Sequence, residues 1–80
     1  MDWRTIVGEN VRRWRLKRGL TQEQLAFEAQ IDLTYIGGIE RGRRNPSLMV
    51  IARIAHSLQV KPADLVAEPA PTKPTTCSAA

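Results

Sequence analysis

Apolar residues recur along most of this chain at intervals of three and four, the spacing that gives a helix one buried face. In "WRTIVGENVRRWRLKRG" the stripe is Trp3, Val7, Val11 and Trp14, with Ile6 beside it. Asp2 stands where a cap would start that helix and Gly19 where a glycine would stop it. Arg12, Arg13, Lys17 and Arg18 fall on the opposite, solvated face. "LTQEQLAFEAQ" predicts a second helix from Thr21, because Thr21 and Gln24 stand in capping-box register. Its Leu25 and Ala26 point inward, and it ends before Gln30. "IDLTYIGGIERG" predicts a third helix, capped by Asp32 and stopped by Gly42. The fourth, "SLMVIARIAHSL", has Ser47 as cap after Pro46 and the stripe Leu48, Ile51, Ala52, Ala55 and Leu58. A short fifth helix follows Pro62, with Leu65 packing back.

From Glu68 onward, "EPAPTKPTTCSAA" has no apolar periodicity and reads as a disordered tail. The expected organisation is one all-α, compact five-helix domain over residues 1–67 and a tail over residues 68–80. Its 80 residues leave room for no second domain.

Charge adds a partner to this outline. Twelve Lys and Arg face eight Asp and Glu, a net charge of +4 with a pI near 10.0, and this favours polyanions. Cys77 is the only cysteine and His56 the only histidine, so no intramolecular disulfide and no Cys-x-x-Cys site can form. No carboxylate cluster accompanies them. The composition thus predicts neither an enzyme nor a metal or cofactor site. No apolar run reaches the roughly 18 residues needed to span a bilayer, and no signal-peptide pattern opens the chain. A reducing cytoplasm, without membrane or small-molecule ligand, is the expected setting.

The second and third helices, joined by a turn around residues 29–32, form a helix-turn-helix, whose second helix can enter the DNA major groove. With about 100° per residue, Ile36, Ile39 and Glu40 share one side, with Tyr35 at its margin. Thr34, Gly37, Gly38 and Arg41 share the other, and Leu33 lies at its edge. The two glycines, each costing about 1 kcal/mol inside a helix, are thereby expected on the exposed face, where a bare backbone can approach DNA closely. The alternative is that they relieve a steric conflict inside the protein. Arg41, Arg43 and Arg44, with Asn45 and Ser47, suggest a phosphate clamp; the alternative is that the arginines only complement the helix dipole. Gln22, in the first turn of the second helix, is placed to donate its amide to a phosphate.

"GLTQEQLA", "TYIGGIERGRRNPSL" and "IARIAHSLQV" together resemble the Cro/C1-type helix-turn-helix family of phage repressors and Xre-like regulators, without a gap from residue 6 to 67. "TYIGGIERGRRN" is similar in particular to the controller proteins of restriction-modification systems. The resemblance implies a lambda-repressor-like fold. It also implies phosphate contacts at Gln22, groove-facing positions at Leu33, Thr34, Tyr35, Gly37 and Gly38, and backbone contacts from Arg41, Arg43, Arg44 and Asn45. Arg15 and Glu40 match a pair that forms a buried, structural ion pair in the family.

Three positions depart from the pattern. Gln30 stands where the turn often has glycine, Leu33 where controller proteins often place a guanine-reading arginine, and Gly37 where serine is common. Base reading then falls to Thr34 and Tyr35, with Arg43 or Arg44, while Leu33 can touch a thymine methyl group. The function implied is a sequence-specific transcriptional regulator binding palindromic double-stranded DNA as a homodimer. Its dimer surface is expected near Leu58, Val60, Leu65 and Val66. An antitoxin or protein-interaction module that binds DNA secondarily is the alternative. RNA binding has little support, since Trp3 and Trp14 fit the core face of the first helix and aromatics are scarce.

Overall fold

A computed structural model of the chain describes residues 2–68, so the tail expected after residue 67 lies, from residue 69 on, outside the described residues. Five helices follow one another: α1 Trp3–Lys17, α2 Gln22–Ala29, α3 Leu33–Glu40, α4 Leu48–Leu58 and α5 Pro62–Leu65. Local chemistry explains the ends. Asp2, Thr21, Asp32 and Ser47 each accept a hydrogen bond from a backbone N–H of the first turn they cap, and Thr21 and Gln24 complete a reciprocal box. At Asp2 the Arg4 backbone N–H, and then the Arg4 side chain, hold the carboxyl below its ordinary range.

All four interhelix turns carry a left-handed residue: Gly19, Gln30, Gly42 and Gln59. At Gln30 and Gln59 a side chain occupies backbone space that favours glycine, so both turns carry some strain. Hydrogen bonds from Ile31 N to Ala26 O (2.9 Å) and from Val60 N to Ala55 O (2.9 Å) close them regardless.

The core lies where the five helices converge, with Val11, Leu25, Ile36, Ile39, Leu58 and Leu65 all fully buried. α3 sits close on α1 because Gly8 has no side chain; a Cβ there would run into the Ile39 carbonyl. Asn10 occupies a stripe position on α1 and is buried. Its amide donates to the carbonyls of Leu65 (2.9 Å) and Ala67 (2.8 Å), while its oxygen accepts from Arg13 (2.9 Å). A polar side chain thus ties α5 to α1.

Several expectations change in the folded chain. Trp3, expected on the core face, is 53% exposed and is not among the residues packed on the core. Trp14 is only half-buried and packs at the edge of the core beneath Lys17, whose ammonium lies 5.1 Å from the ring centroid. On α4 the buried face comprises Ile51, Ile54, Ala55 and Leu58, whereas Leu48 is exposed at the helix start. Leu58 and Leu65 are sealed inside the protomer and cannot serve a dimer surface; Val66 is exposed and Val60 half-buried. Arg18 does not face solvent alone, since it donates to the Leu58 (2.8 Å) and Gln59 (3.3 Å) carbonyls at the end of α4.

Candidate nucleic-acid interface

The turn between α2 and α3 is set by Gln30 in its left-handed conformation and by Asp32, whose carboxylate accepts from Thr34 N at 3.0 Å. α3 begins one residue after Asp32, and burial of Ile36 and Ile39 fixes its rotation about its own axis. This rotation leaves Leu33 and Thr34 exposed at its N-terminal turn and Tyr35 half-buried at the margin.

Gly37 and Gly38 are buried, contrary to the expectation of a bare, exposed face. What covers them is arginine rather than core. A Cβ at Gly37 would stand 3.3 Å from Nη1 of Arg41, and one at Gly38 would stand 2.7 Å from Cγ of Arg44. The chain folds back here through a hydrogen bond from Arg43 N to Gly38 O (2.8 Å), and the Arg44 guanidinium lies 5.6 Å from the Tyr35 ring centroid. The intraprotein alternative for the glycines therefore describes the free protein better than open access for DNA does. Arg41 is a helical neighbour of Gly37, four residues on, but the side chain over Gly38 stands six residues further along, which helical periodicity does not include.

Arg41, Arg43, Arg44, Asn45 and Ser47 are exposed along one run, and among the described residues no acidic group pairs with these arginines. Ser47 Oγ also caps α4, accepting from Val50 N at 3.2 Å. Beneath this surface Arg15 Nε donates to Glu40 Oε2 at 2.6 Å and Arg15 Nη2 to Glu40 Oε1 at 3.0 Å, with both side chains nearly buried. A third donor, Gln22 Nε2, reaches Glu40 Oε1 at 3.0 Å. One N–H of Gln22 is thus directed into the protein, and its amide retains the second for another acceptor.

The three-way contact of Arg15, Gln22 and Glu40 links α1, α2 and α3 at the head of the helix-turn-helix. It fixes how Gln22 is presented relative to Leu33 and Thr34. Two features have no readable sign in the sequence, the seat of Arg44 and the tie from Gln22 to Glu40; the clamp at Asn10 left only the trace of a polar residue at a stripe position.

Residues 11–65 match the helix-turn-helix family. The control protein C.BamHI of Bacillus amyloliquefaciens is 48% identical over 64 residues, 79% of this chain and 79% of the relative. A transcriptional regulator of Sinorhizobium fredii, y4dJ, is 39% identical over 66 residues, 82% of this chain and 86% of its own length. Among solved structures, the restriction-modification controller protein C.AhdI from Aeromonas hydrophila superposes with a TM-score of 0.76 at 42% identity, covering 78% of this chain and 94% of that one. The packed helix-turn-helix, its arginine-lined flank and these likenesses agree: the chain belongs to the Cro/C1-type helix-turn-helix family of DNA-binding transcriptional regulators.

Proposed function

We propose that this protein regulates transcription in the cytoplasm as a homodimer on a palindromic operator, with α3 in the major groove of each half-site. The observation that carries this reading is the exposed N-terminal turn of α3 beside three exposed arginines that have no acidic partner among the described residues. Thr34 and Tyr35, with Arg43 and Arg44, read base edges, and Leu33 meets a thymine methyl group. Gln22, Arg41, Arg43, Asn45 and Ser47 hold the phosphates on either side. A single domain of this size makes few contacts, and a second copy doubles them over two half-sites about one helical turn apart. Val66, the apolar residue left exposed beyond α5, and Val60 belong to the surface that joins the copies. The control proteins of the BamHI and AhdI systems among its relatives support a role beside a restriction-modification system.

The test is selection from random-sequence duplexes at about 150 mM salt, where non-specific phosphate attraction is damped. Enrichment of a palindrome with half-sites about ten base pairs apart is the expected outcome. Binding that yields no motif and disappears as salt rises would leave only general polyanion affinity.

A further inference from the structure

Gly38 and Gly37 are both covered by arginine, but not equivalently. At Gly37 an added Cβ meets only the guanidinium tip of Arg41, with Nη1 nearest at 3.3 Å, and a flexible tip moves aside easily. At Gly38 it would collide with the stem of Arg44: Cγ at 2.7 Å, Nε at 3.3 Å and Cδ at 3.5 Å. The stem lies along bare helix backbone, and its guanidinium continues over the Tyr35 ring. Nothing acidic among the described residues draws Arg44 to this place. The helix accepts a residue unfavourable to it at position 38, and what occupies the vacated space is a cation.

We propose that Gly38 is a positioning residue for Arg44. The notch it leaves lets a side chain from the loop after α3 lie back along α3, where it acts as the base-reading group that the helix lacks at positions 37 and 38. This rests on the DNA-binding role proposed above. The seat on Gly38 and Tyr35 removes part of the freedom an arginine otherwise loses when it is fixed against a base, and it aligns the planar guanidinium beforehand. A planar, pre-aligned fork suits bidentate contact with guanine better than a single charge on a phosphate. The same notch explains how a chain with leucine at position 33 still presents an arginine to the groove.

A double-mutant cycle tests this on the full chain, using the operator recovered by selection and a scrambled duplex of equal length. The variants are Gly38→Ala, Arg44→Ala, their combination, and Gly37→Ala as the neighbouring control. Gly38→Ala is expected to melt at or above the wild-type temperature, since alanine favours the helix. It should lose operator affinity by roughly ten- to a hundredfold, the worth of a bidentate base contact. Scrambled-duplex affinity should fall by less than about threefold, because the charge remains. Arg44→Ala should lose operator preference to a similar degree, and adding Gly38→Ala to it should change nothing more. Gly37→Ala, which touches only the guanidinium of the phosphate-holding Arg41, should keep the wild-type preference for operator over scrambled duplex.

If Gly38→Ala weakens operator binding just as much when Arg44 is already alanine, the new methyl group meets DNA directly and the positioning role is wrong. It is equally wrong if Gly38→Ala binds like the wild type, or if Arg44→Ala keeps the operator preference. A wild-type protein that selects no operator would instead remove the DNA-reading function itself.

Discussion

Replacing Glu40 with alanine is expected to remove most of the stability of this domain, even though the residue lies beside a DNA-facing surface. Its carboxylate accepts three hydrogen bonds, two from Arg15 and one from Gln22. Without it, the nearly buried guanidinium keeps only the Leu20 carbonyl, which Nη1 reaches at 2.8 Å. Removing one partner of a buried pair typically costs about 3–5 kcal/mol, because the remaining charge is left uncompensated. The 67 described residues support a total stability of roughly 3–10 kcal/mol. With a urea slope of about 1 kcal/mol/M, the midpoint should fall by about 3–5 M.

Far-UV circular dichroism in urea measures this directly. The companion variant is Arg15→Met with Glu40→Leu, which removes both charges and fills the space with apolar atoms. It should recover to within about 1–2 kcal/mol of the wild type, since apolar replacement of a buried pair is often neutral. A loss below about 1 kcal/mol for Glu40→Ala would mean that the pair behaves as a solvent-screened one. A double variant no more stable than the single would show that lost packing, not the stranded charge, sets the cost. Either result refutes the reasoning.

Two further substitutions examine the rest of the frame. Asn10→Ala strands the Leu65 and Ala67 carbonyls and should cost about 1–3 kcal/mol, with amide exchange accelerating first in α5. Gln30→Gly relieves a left-handed non-glycine (φ 58°) while leaving the Arg53 bond to the Gln30 carbonyl in place, and should raise stability by up to about 1 kcal/mol in the same urea titration.

Much of this protein is legible from neighbouring residues alone. Asp2, Thr21, Asp32 and Ser47 mark helix starts because a cap acts on N–H groups two or three residues away. Gly19 and Gly42 mark two of the turns for a similarly local reason, since left-handed backbone favours a residue without a Cβ. The apolar spacing of Ile36 and Ile39 orients α3, and the match of Arg15 to Glu40 followed from family resemblance rather than from distance along the chain. The helix-turn-helix and its exposed arginine run were therefore visible before any coordinates.

Tertiary structure decided the rest, and in each case the deciding contact comes from outside the periodic pattern. Trp3 fits a stripe but stays about half exposed outside the core, while Leu58 and Leu65, equally suited to a dimer surface by sequence, are consumed by the core. Gly38 lies opposite the apolar face of α3, yet it is covered by Arg44, which returns across the following turn. Periodicity reports which side of a helix is apolar. What a polar side comes to rest against depends on how the chain turns after the helix ends, and that is settled only when all five helices close on one core.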